Sequence, residues 1–146
     1  WRDNLSSVNG DYSGLTAVGY YAGRYVANGY ATFMGTNAGE RAAGSSNQFF
    51  GYYAGRGDSG DVTATNNVYL GTNAGCDVTS GGYNVFLGCG TGKKTTTGQG
   101  AIFLGRNAGA ANIGGEYSII IGQSAGNTGT ASLPLIMLSH IAVPVL

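Results

Sequence analysis

A largely apolar triplet closed by Gly-x-x-Ala-Gly, with Thr in place of Ala in one copy, returns seven times in this chain, and no other feature constrains its fold as strongly. The triplets are Thr16-Ala17-Val18, Thr32-Phe33-Met34, Gln48-Phe49-Phe50, Val68-Tyr69-Leu70, Val85-Phe86-Leu87, Ile102-Phe103-Leu104 and Ile119-Ile120-Ile121. The glycines that close them stand at 19, 35, 51, 71, 88, 105 and 122, in steps of 16, 16, 20, 17, 17 and 17. A short unit of nearly constant length implies one supersecondary element stacked on itself. An apolar run of three ended at once by glycine reads as a short strand with a breaker. Helical repeats need about 34 residues per unit, and no 3.6-residue apolar period is present. The expected fold is therefore all-β: a parallel β-roll or β-solenoid of about seven coils of 16–20 residues, each adding about 4.8 Å.

The glycines should mark sharp corners, where positive φ and close backbone approach suit a residue without Cβ. Ala22, Ala38, Ala54, Ala74, Ala108 and Ala125 follow where coils leave little room, whereas Gly90-Thr91-Gly92 breaks the pattern and predicts a looser corner. Strand alternation gives two ladders. One runs through 18, 34, 50, 70, 87, 104 and 121, the other through Ala17, Phe33, Phe49, Tyr69, Phe86, Phe103 and Ile120. Both are apolar, and a strand apolar on both sides is buried on both. One ladder can fill the coil, but the other needs a partner that no second sheet-forming region supplies. Self-association about the coil axis is expected, with three chains favoured over two.

The array is expected over 16–131, after an irregular lead-in at 1–15 and before an apolar extended segment at 132–146 that holds Pro134, Pro144 and the single His140. That segment is expected to cover the last coil, pack on symmetry mates or lead into a further domain. The long arc from Arg56 to Asn67 should bulge as a loop, and the chain, opening on Trp1 without an initiator methionine or signal peptide, reads as a fragment of something longer or a processed product.

Only 10% of residues are charged, and seven basic residues balance seven acidic ones. Nothing here attracts a polyanion, so nucleic acid is not an expected partner. No apolar run is long enough to span a bilayer, so direct membrane insertion is not expected. Cys76 and Cys89 lie five and one residues after their motif glycines, so no rung-to-rung disulfide follows. Free thiols or a bridge across a coil both remain open.

The best copies, Asn67-Val68-Tyr69-Leu70-Gly71-Thr72-Asn73-Ala74-Gly75 and Asn84-Val85-Phe86-Leu87-Gly88, resemble the head repeats of YadA-like trimeric autotransporter adhesins. They are also similar to repeats in phage tail-fibre proteins. The resemblance covers about 16–130. It implies a left-handed, homotrimeric roll on a virion or bacterial surface that contacts a host receptor, and it carries no catalytic residue.

An isolated His140 supplies neither a triad nor a metal site, so no catalysis, cofactor or metal is expected. Asp58, Asp61 and Asp77 are the only clustered acids, and solvated loop acids are their default reading. Arg56-Gly57-Asp58 spells an integrin tripeptide within the long arc. Tyr20, Tyr21 and Arg24 recur as Tyr52, Tyr53 and Arg56, a candidate receptor or glycan surface, since tyrosine offers a flat apolar face with a polar tip. The competing reading is corner shielding. Asn37, Asn73 and Asn107 occupy the position of Tyr21 and are expected to form an amide ladder. The function expected from these features is a structural and adhesive fibre segment, with a self-assembling matrix or surface filament as the alternative. Ice binding ranks third, because Thr63-Ala64-Thr65 and Thr128-Gly129-Thr130 are not equivalent in the repeat.

Overall fold

The computed structural model describes residues 13–27, 29–58, 60 and 62–127, together with the backbone of 136–138. Eight three-residue strands form a single sheet in chain order: β1 (Thr16–Val18), β2 (Thr32–Met34), β3 (Gln48–Phe50), β4 (Val68–Leu70), β5 (Val85–Leu87), β6 (Ile102–Leu104), β7 (Ile119–Ile121) and β8 (Ile136–Leu138). Every neighbouring pair is parallel and in register, Phe33 opposite Phe49 and Phe86 opposite Phe103. The described residues contain no helix. A chain that returns to the same strand position every coil, always parallel, is a β-solenoid. Six full turns separate β1 from β7. β8 continues the stack one step beyond the seventh motif, at the end of the apolar segment's first residues. The lead-in before Ser13, Asp61, Thr128 to Thr130, His140 and both prolines lie outside the described residues.

The middle residue of each strand faces inward. Phe33, Phe49, Tyr69, Phe86, Phe103 and Ile120 are fully buried, and Ala17 is half-buried at the first coil. Their rings stack along the axis with centroids 5.3 Å (Phe33–Phe49), 4.7 Å (Phe49–Tyr69), 4.8 Å (Tyr69–Phe86) and 4.9 Å (Phe86–Phe103) apart. The last three spacings equal the distance between hydrogen-bonded strands, so coil rise and aromatic stacking favour the same geometry. Val26, Val62, Val78 and the alanine column complete the interior.

The two glycine columns have different causes. Gly71 sits at φ +137°, and a Cβ there would lie 2.5 Å from the Gly88 carbonyl oxygen of the next coil. Gly75 sits at φ +57°, and a Cβ would strike the Tyr69 ring. The first column lets backbones stack, and the second lets the aromatic core fill the corner. Between them, residues such as Tyr21, Asn37, Tyr53, Asn73 and Asn107 adopt φ of 56–60°. The left-handed turn explains asparagine at these sites.

Three expectations change here. The fifth corner is sealed rather than loose: Thr91 is fully buried, and its hydroxyl donates to the Gly105 carbonyl at 2.7 Å. The long arc does not simply bulge. Gly57 and Asp58 donate their N–H groups to the Cys76 carbonyl, Gly60 N–H turns back to Gly57 O, and Val62 rejoins the stack opposite Ala42. The amide ladder that bonds from coil to coil is also a different one. Asn37 donates to the Glu40 carboxylate, whereas the buried column Asn47, Asn67, Asn84 forms the spine. Asn47 Oδ1 accepts from the Asn67 N–H and amide, Asn67 Oδ1 from Asn84 N–H, and Asn84 Oδ1 from Ala101 N–H. The amides also donate to carbonyls of Ala64, Gly81 and Gly98. Buried backbone groups need partners, and this column supplies them where the arcs are irregular.

Candidate functional site

The first and third residues of each strand point away from the core. Val18, Met34, Leu70, Ile102, Leu104 and Ile121 are 37–51% exposed, and Phe50, Val68, Val85, Leu87 and Ile119 are half-buried. Thr16, Thr32 and Gln48 are the polar members, and no charged residue stands at an outward position of β1–β7. The result is a continuous apolar sheet face on the far side of a completed core. Contiguous exposed patches of this kind mark interaction surfaces.

Most of the charge is gathered elsewhere, at the corner that follows the Ala-Gly turn, with Arg106 and Glu116 outside it. Backbone bonds stack Glu40 on Tyr25, Arg56 on Arg41, Cys76 on Gly57 and Lys93 on Asp77. Arg56 bridges Glu40 at 3.3 Å and Asp58 at 3.0 Å. The charged groups of the Arg56-Gly57-Asp58 tripeptide thus pair with each other, and Gly57 is buried.

The tyrosine groups sit beside this corner. Tyr20 stacks on Tyr21 at 3.8 Å, and Arg24 lies 4.1 Å over the Tyr21 ring and 4.8 Å over Tyr25. The arrangement repeats with Tyr52 on Tyr53 at 3.9 Å and Arg56 over Tyr53 at 4.3 Å. Asn37 N–H bonds Tyr20 O and Tyr53 N–H bonds Thr36 O, so one coil separates the two groups. Tyr21 and Tyr53 therefore have their faces occupied by Tyr and Arg neighbours. Tyr20 and Tyr52 are 59% and 47% exposed. The Tyr53 hydroxyl beside it, through a hydrogen bond, pushes the Tyr52 phenol above its ordinary pKa. The two groups are repeated copies of one small aromatic platform rather than one merged surface.

Spacing gave no metal site, yet the fold brings Asp58, Cys76 and Asp77 together, with one ligand atom each within 4.8 Å of the others. Cys76 Sγ donates to Asp77 at 3.5 Å. Burial, then the charges of Asp77 and Asp58, push its thiol up to about 12, so it holds its proton at neutral pH. Both cysteines are free, Cys76 buried and Cys89 exposed.

Sequence reasoning also missed a threonine column. Thr63 Oγ1 donates to Thr79 O at 3.2 Å and Thr79 Oγ1 to Thr96 O at 3.0 Å. These two hydroxyls are turned onto carbonyls of the next coil and are therefore not presented to an ice lattice. Comparison with known proteins returned no matching family, no matching curated protein and no matching solved structure.

Proposed function

We propose that this chain is a structural and adhesive segment of a trimeric extracellular fibre, a phage tail fibre that contacts a host-surface receptor. The observation that carries the reading is the apolar, uncharged sheet face behind a core that is already full. Left in water, that face is a site for non-specific association. Covered by sister chains, it becomes the seam of a rod whose charged corners face outward. The motif's resemblance to surface adhesin and tail-fibre repeats agrees with this assignment, and implies a left-handed roll. Adhesion then works by multiplication: three copies of a weak platform at Tyr20, Tyr21, Arg24 and Tyr52, Tyr53, Arg56 act together on a receptor such as a surface glycan. The exposed rings of Tyr20 and Tyr52 would lie against sugar faces, with Arg24 and Arg56 fixing their partners Tyr21 and Tyr53.

Electron micrographs of the purified chain test the reading against the self-assembling filament. Short rods about six coil rises long, roughly 30 Å over the array, support a fibre segment. Long unbranched filaments would replace it with end-to-end polymerisation.

A further inference from the structure

The outward face is not uniform along the axis. In β1–β3 the strand-opening positions are Thr16, Thr32 and Gln48, so each strand offers one outward apolar side chain. From β4 to β7 both outward positions are aliphatic: Val68 with Leu70, Val85 with Leu87, Ile102 with Leu104, Ile119 with Ile121. A stripe one column wide doubles after the 20-residue step. The tyrosine and arginine platforms belong to the other half, on the coils of β1 and β3.

We infer that sister chains close on one another along β4–β7 and stand apart along β1–β3, where the platforms stay open to ligand. This rests on the self-association proposed above, and assigns it a place. The occupant of the aliphatic half is a second copy of this chain for two reasons. The ridges Leu70, Leu87 and Leu104 repeat at the strand spacing, about 4.8 Å. A surface of that pitch is matched over several ridges only by another of the same pitch, and a copy in axial register supplies one. The face also carries no charge, so an ionic partner finds nothing to pair with, while identical copies meet without like-charge repulsion. Closure over β1–β3 is less favourable, because Thr16, Thr32 and Gln48 would lose water without assigned partners.

The test compares Leu104→Asp with Met34→Asp by sedimentation over a range of concentrations. Both side chains point outward, so circular dichroism should show the solenoid intact in each. Leu104→Asp is expected to raise the dissociation concentration at least about a hundredfold, since it buries an unpaired charge, and Met34→Asp less than about tenfold. Equal dissociation by both variants, with the parent chain still oligomeric, overturns the partition and leaves self-association standing. A monomeric parent overturns both. Hydroxyl-radical footprinting of the unaltered protein gives the same answer without a variant. Protected Leu70, Leu87 and Leu104 beside readily oxidised Met34 agree with the inference, and Met34 protected as strongly as the leucines contradicts it.

Discussion

Replacing Asn67 with alanine is the sharpest test of the buried amide spine. Asn67 Oδ1 is the acceptor for Asn84 N–H at 2.9 Å, and its amide donates to Gly81 O at 3.2 Å and to Asn47 Oδ1 at 3.1 Å. All of these groups are buried. Alanine leaves one backbone N–H and one carbonyl without a partner, while Asn47 Oδ1 keeps the Asn67 N–H. Each orphaned buried group costs about 1–3 kcal/mol, so the loss should be about 2–6 kcal/mol. Entry of water into the gap favours the lower half, about 3 kcal/mol. For a chain of this length about 4 °C accompanies each kcal/mol, so Tm should fall by about 12 °C. The site lies mid-array, so both neighbouring coils lose support. Melting followed by circular dichroism at fixed protein concentration measures this, with the exposed Thr72→Ala as control, expected within about 0.5 kcal/mol. Asn67→Asp should be worse than alanine, since it keeps one acceptor but removes both donors and buries a charge. An Asn67→Ala variant as stable as the control would refute the spine.

The Tyr69 hydroxyl is buried without a hydrogen bond, and the Asn84 amide it faces gives one N–H to Gly98 O while its oxygen accepts the Ala101 N–H. Tyr69→Phe should therefore raise stability by about 1 kcal/mol by removing an unsatisfied group from an otherwise unchanged ring stack; a loss of stability in denaturant titration would contradict that. Thiol labelling at pH 8 should modify exposed Cys89 and leave Cys76 intact until the protein unfolds. Because the folded Cys76 thiol sits at about 12 against an ordinary 9.0, the unfolded chain releases its proton first. Stability should fall as pH rises from about 9 towards 12, and Cys76→Ala should reduce that slope. Tyr52→Ala should weaken binding of the assembled protein to host-surface polysaccharide by about tenfold, equal to about 1.4 kcal/mol, as read on immobilised glycans; unaltered binding would remove Tyr52 from the platform.

The strands and their register were legible because the repeat states them directly. All seven triplets coincide with β1–β7, and Gly71 and Gly75 mark corners for reasons a sequence can suggest. Which ladder lies inside was not decidable from apolar character alone. A three-residue strand points only its middle side chain inward, so Phe33 and Phe86 fill the core and Met34 and Leu87 do not. The Asn47–Asn67–Asn84 spine was obscured because Ala31, Ala101 and Ser118 interrupt its column, and because arcs of unequal length break the count. The Thr63–Thr79–Thr96 column was lost for the same reason. β8 escaped notice because Ser139 follows it in the sequence where every earlier copy has glycine. The cluster of Asp58, Cys76 and Asp77 joins two coils across the inserted arc, a proximity that only the stacked backbone creates.

Sedimentation equilibrium of the purified chain addresses the outer apolar face most directly. If sister chains cover Leu70, Leu104 and their neighbours, the particle should have three times the 14.8 kDa chain mass, about 44 kDa. A folded, soluble species of 14.8 kDa that persists at high concentration would show that face content in water and would contradict the account.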